Sequence, residues 1–67
     1  MNLQKIGENI KKARTKSGLT QLEVANKVGV HVNFFARVER GEEKISLDTL
    51  ESIAKVLNVS SSDILPF

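Results

Sequence analysis

The sequence predicts an all-α domain of five short helices, and three observations carry that expectation. Apolar residues recur at spacings of three and four in separate stretches, the period of a helix face turned toward a core. Glycine, asparagine and hydroxyl residues punctuate those stretches where turns and caps are needed. Nothing reads as a strand beyond the short run Val28–Val32, which Gly29 interrupts. A chain of 67 residues is one domain at most, with a core near the lower limit for independent folding. With no cysteine, neither a disulfide nor a thiolate metal site can reinforce it. No basic-then-apolar leader opens the chain and no run approaches the ~18 apolar residues of a membrane span, so the expectation is a cytoplasmic protein with residues 1–67 as a single domain.

Helix 1 is expected from about Leu3 to Lys16, with Leu3, Ile6, Ile10 and Ala13 as its buried stripe. Gly7 weakens it by roughly 1 kcal/mol relative to alanine and suits close packing against a neighbour. Gly18 is a good residue for the end of the helix, and Leu19 can close an apolar contact over it. Thr20 followed by Glu23 is a capping box that opens a second helix over about 20–28, with Val24, Ala25 and Val28 on its apolar face. Gly29 can turn the chain through positive φ. Phe35 and Val38 then resume the helical period over about 31–39, with Gly41 as a stop. Helical phase sends Phe35 inward and leaves Phe34 partly exposed.

A polar, charged loop from Arg40 to Ile45 comes next, in which Glu42 and Glu43 read as solvated carboxylates. Ser46 can cap helix 4, whose wide stripe is Leu47, Leu50, Ile53, Ala54 and Leu57, with Asn58 as its end and Val59 as an anchor beyond it. Ser60 can cap a final turn that carries Asp63 favourably near its N-terminus and ends at Pro66.

Two short helices about a glycine turn, residues 20–41, are the pattern of a helix-turn-helix, which offers its second helix to the DNA major groove. An ordinary αα-hairpin has the same periodicity. The charge distribution fits a DNA-binding face and equally a solvated, lysine-rich one. Residues 1–40 hold eight Lys/Arg against three acids, a net of +5; residues 41–67 hold two Lys against five acids, a net of −3. A basic half beside an acidic half suits a polyanion-binding face backed by a separate surface.

The succession Leu19-Thr20-Gln21, Val24-Ala25, Val28-Gly29-Val30, Phe35, Val38-Glu39-Arg40-Gly41, Leu47, Leu50, Ile53-Ala54, Leu57, Val59-Ser60 and Leu65 resembles the Cro/phage-repressor helix-turn-helix family, also called the XRE family. The likeness runs over roughly residues 6–65. It implies a five-helix, lambda-repressor-like domain, mostly found in homodimeric transcriptional regulators of bacteria, phages and plasmids. Position by position, it implies base readout by Val32, Asn33 and Arg37 of the recognition helix. It places Gln21 on a DNA phosphate at the start of helix 2, and helix N-termini are suited to anions. An asparagine can pair with adenine, an arginine with guanine O6 and N7, and a valine can pack on a thymine methyl. Lys27, Arg40 and Lys44 are further candidates for phosphate contact. Arg14 and Glu39 match a pair that joins helix 1 to helix 3 in the family, a structural role.

Two departures from the family pattern stand out. His31 occupies the position where Ser or Thr usually caps the recognition helix; it is a weaker cap, and its imidazole can contact a phosphate when protonated. Ala36 replaces a frequent serine and loses that hydroxyl.

Catalysis is not expected. Ser17, His31 and Asp48 can be assembled on paper, but no strand-turn-helix elbow supports them. The glycines make no phosphate loop, and no acidic cluster has metal-ligand spacing, so neither cofactor nor metal is expected. The rival function is an antitoxin or other protein-interaction module on the same fold, with a protein as partner. Leu22, Ile64, Leu65 and Phe67 supply more apolar surface than one small core absorbs. Ile64, Leu65 and Phe67 are expected at a two-fold interface between chains. The expectation is a sequence-specific, repressor-like regulator of double-stranded DNA, a homodimer on a pseudo-palindromic operator, similar to phage Cro-like repressors or to restriction–modification controllers.

Overall fold

The computed structural model describes residues 2–66. Among them the chain forms α1 (Leu3–Ser17), α2 (Gln21–Val28), α3 (Val32–Glu39), α4 (Leu47–Leu57) and α5 (Ser61–Ile64), with no strand. α1 lies against α3, α4 and α5; α2 packs on α3 and α4; α4 also meets α5. No helix of the described residues is long and apolar enough to cross a membrane.

Each helix begins where a side chain can take up an amide that the helix leaves unpaired. Asn2 Oδ1 accepts from the Lys5 N–H at 3.0 Å. The Thr20–Glu23 capping box closes in both directions, at 3.1 and 2.9 Å. Ser46 Oγ accepts from the Thr49 N–H at 3.1 Å, and Asp63 Oδ2 accepts from the Ser60 N–H at 2.9 Å. His31 departs from expectation: it caps α3 effectively, its Nδ1 accepting from the Asn33 N–H at 3.0 Å. At the far ends, Gly18, Gly29 and Asn58 adopt left-handed backbone.

Two of these caps make the fold acid-sensitive. The Thr20 amide, and after it the Thr20 hydroxyl, hold the Glu23 carboxyl below its usual pKa. The Ser60 amide and hydroxyl do the same for Asp63. A carboxyl depressed by folding stabilises the native state above its unfolded pKa, and that contribution is lost as pH falls through the folded value. The melting temperature should therefore hold at neutral pH and fall as the solution is acidified through and below the usual carboxylate range. Melts followed by circular dichroism would show it, and Glu23→Gln should flatten part of the fall; a melting temperature that rises on acidification would contradict the account.

The core gathers Ile6 and Ile10 from α1, Val24 and Ala25 from α2, Phe35 and Val38 from α3, Leu50, Ile53, Ala54 and Leu57 from α4, and Ile64 from α5. Phe35 is fully buried while Phe34 is half-exposed, as helical phase requires. At Gly7 α1 lies close against the end of α3: a Cβ there would stand 2.5 Å from both the Val38 and Glu39 carbonyl oxygens.

Three expectations are corrected. Ile64 is not interface material, because α5 folds onto α1 and α4 and its side chain is wholly enclosed, 0% exposed. Asn9, which the sequence did not single out, fastens this end of the chain, its Nδ2 donating to the Ile64 carbonyl at 2.7 Å. Leu47, assigned to the α4 stripe, is 64% exposed, since it opens the helix beyond the reach of the neighbouring elements. Glu42 and Glu43 are not merely solvated: they pair with Arg40 and Arg37. Leu22 is 54% exposed and Leu65 half-buried, while Phe67 lies outside the described residues.

Candidate nucleic-acid interface

α3 turns Phe35, Val38 and Glu39 inward. At 100° per residue, Asn33, Ala36, Arg37 and Arg40 then fall within an arc of about 100° on the opposite side. Asn33 and Arg40 are exposed and Arg37 and Ala36 partly so; Val32 flanks this arc, half-buried against the core. An amide, a guanidinium and a small side chain thus share one outward face of a two-turn helix. Those groups can donate to or accept from base edges, and Ala36 leaves room for close approach.

The helix is set in place by a buried charge network. Glu39, 6% exposed, is the one charged side chain within the core region of the described residues. Arg14 Nε donates to Glu39 Oε2 at 2.6 Å and Nη2 to Oε1 at 3.2 Å. Arg14 Nη1 also reaches the Leu19 carbonyl at 3.0 Å. The third partner is Gln21, whose Nε2 donates to Glu39 Oε1 at 2.8 Å. A carboxylate only accepts, so the amide orientation of Gln21 is fixed by chemistry. One carboxylate therefore ties α1, the start of α2 and α3 together. The resemblance pointed to the Arg14–Glu39 pair, but the Gln21 link was not legible, because it depends on where α2 begins relative to α3.

Gln21 consequently has one amide N–H committed to the protein, and its second N–H and its backbone N–H make no hydrogen bond among the described residues. His31 caps α3 through Nδ1, which requires that nitrogen to be unprotonated and puts the ring proton of the neutral form on exposed Nε2. Its donor is then available outward without giving up the cap. Lys27 and Lys44 are exposed and make no ion pair among the described residues. Arg40 is held by Glu42 through Nε and Nη2 at 3.0 and 3.1 Å, and Arg37 by Glu43 through Nε alone at 2.8 Å. Among the described residues no group of three or more His, Asp or Glu is placed to hold a metal ion.

A helix-turn-helix family model matches residues 10–64. The chain belongs to that family. Antitoxin PezA of Streptococcus pneumoniae is 42% identical over 60 residues, which cover 90% of this chain and 38% of that protein, so the chain spans well under half of the antitoxin's length. The restriction-modification controller protein C.AhdI from Aeromonas hydrophila superposes with a TM-score of 0.90 at 28% identity, over 94% of this chain and 96% of that one. SinR, a master regulator for biofilm formation, solved in complex with DNA, superposes at 0.80 with 34% identity, over 85% of this chain and 92% of that one. In this helix-turn-helix, α2 and α3 are the motif's two helices, tied to each other and to α1 through Arg14, Gln21 and Glu39.

Proposed function

We propose that this helix-turn-helix chain is a cytoplasmic, repressor-like transcriptional regulator that reads double-stranded DNA with α3. The observation that carries the reading is the outward face of α3, where Asn33, Ala36, Arg37 and Arg40 converge opposite a fully packed stripe. Val32, Asn33 and Arg37 are the base readers; Gln21, Lys27, His31, Arg40 and Lys44 hold phosphates around them. Residues 1–67 act as one DNA-binding domain without catalytic chemistry. The likeness to the controller protein and to SinR supports this reading.

A labelled duplex titrated across a salt series tests it. Affinity should fall linearly on a log–log plot as phosphate contacts release counterions; absence of salt-dependent binding would refute the reading. Arg37→Ala should lose roughly 1–3 kcal/mol on the preferred site and relax selectivity at one base position. If site preference is unchanged, Arg37 is not a reader.

The regulator acts as a homodimer, with two recognition helices on half-sites about one helical turn apart. Because Ile64 belongs to the core, the two-fold surface centres on the half-buried Leu65. Leu65→Asp should shift sedimentation toward monomer, with the melting temperature as the check that the fold survives. An intact dimer would place the interface elsewhere. A second reading, a protein-interaction module, is favoured by the exposed Leu22 and Leu47 and by the likeness to an antitoxin. Such a role is compatible with DNA binding by α3.

A further inference from the structure

The two arginines on the outward face of α3 are restrained in different ways. Glu42 holds Arg40 by two bonds, through Nε and Nη2. Glu43 holds Arg37 by one, from Nε to Oε2, and neither Nη1 nor Nη2 of Arg37 makes a hydrogen bond among the described residues. The end of the Arg37 guanidinium, two parallel donors, is therefore left unoccupied. That is the edge able to pair end-on with guanine O6 and N7.

The backbone fixes where Glu43 stands. Gly41 turns the chain at φ +76°, and a Cβ there would strike the Gln4 backbone at 2.7 Å. The Gly41 N–H then donates to the Val38 carbonyl at 3.1 Å, and the Glu42 N–H to the Arg37 carbonyl at 2.9 Å. The loop thus folds back along α3 and sets the Glu43 carboxylate beside the Arg37 stem, with the side chains of Arg37 and Glu43 41% and 33% exposed.

We propose that Glu43 is a positioning residue for base readout: it fixes Arg37 through Nε so that the Nη pair faces a guanine. The inference rests on the DNA-reading role of α3 and names the residue that sharpens it. Glu43 contributes selectivity while, as a negative charge near phosphates, it lowers affinity for every sequence. Glu42 has only the second effect, because it occupies the fork of Arg40. An exposed ion pair is a weak restraint, so the selectivity involved is about two- to fivefold.

The test compares wild type, Glu43→Ala, Glu42→Ala and Arg37→Ala on a duplex that wild type selects and on one altered at the position that Arg37→Ala relaxes. Glu43→Ala and Glu42→Ala should both bind random duplexes more tightly. Only Glu43→Ala should shrink the preference between the two chosen duplexes, about two- to fivefold, and it should shrink nothing further in the Arg37→Ala background. Glu43→Gln, which keeps an acceptor for Nε, should retain more of the preference than Glu43→Ala and serves if the alanine variant folds poorly. Equal behaviour of Glu43→Ala and Glu42→Ala, a loss of preference that persists without Arg37, or an Arg37→Ala variant that relaxes no position would overturn the proposal. A wild type that selects no sequence would instead sink the DNA-reading role itself.

Discussion

Arg14→Ala is expected to cost about 3–5 kcal/mol of stability, the range for stripping one partner from a buried ion pair. The cost comes less from the lost attraction than from what remains. The Glu39 side chain is 2% exposed and would keep only the Gln21 amide as a donor. Folded domains are stable by only about 5–15 kcal/mol, so much of the margin goes with one side chain. In a domain of this size each kcal/mol moves Tm by about 4–8 °C, and a fall of at least ~12 °C should be seen by circular dichroism. The double variant Arg14→Met/Glu39→Leu should recover most of that loss, because exchanging a whole buried pair for apolar residues is often neutral. Its DNA affinity should stay low, since α3 would have lost the network that orients it. A single variant melting within a few degrees of wild type would show that Glu39 is not held by Arg14 as the geometry indicates.

Gly7→Ala should destabilise the protein by about 1–3 kcal/mol, although alanine is the better helix former by roughly 1 kcal/mol. The added methyl would meet the Val38 and Glu39 carbonyl oxygens at 2.5 Å, and a backbone cannot swing aside as a side chain can. α1 would have to move off the end of α3. Residues 7 and 14 lie two turns apart on one face of α1, so the same movement strains the Arg14–Glu39 pair. The two substitutions should therefore be non-additive when combined. A Gly7→Ala variant as stable as wild type would mean that α1 and α3 pack less closely than the structure has them.

Much of this fold is written locally. Caps at Thr20, Ser46 and Ser60, and the ends at Gly18, Gly29 and Asn58, depend on residues within a turn of each other, and the helix boundaries fall within about a residue of the periodic pattern. Periodicity names a helix face but not how far its neighbours extend. Leu47 therefore continues a stripe yet stands in solvent, whereas Ile64 looks surplus yet is enclosed by α1 and α4.

The links that build the site are the least legible. Asn9 meets Ile64 across 55 positions and Gln21 meets Glu39 across 18, and neither partner carries a local signal for the other. Glu43 and Arg37 are six apart, but only the backward fold of the loop at Gly41 makes them neighbours. The outward face of α3 was legible because helical phase alone separates Asn33 and Arg37 from Phe35 and Val38.

The most direct test of readout by α3 is selection of bound duplexes from a random DNA pool at about physiological salt, with wild type and Asn33→Ala in parallel. Wild type should enrich a two-fold symmetric motif, and Asn33→Ala should enrich one that differs at symmetry-related positions. Binding without enrichment, or the same motif from both proteins, would contradict direct readout by this helix.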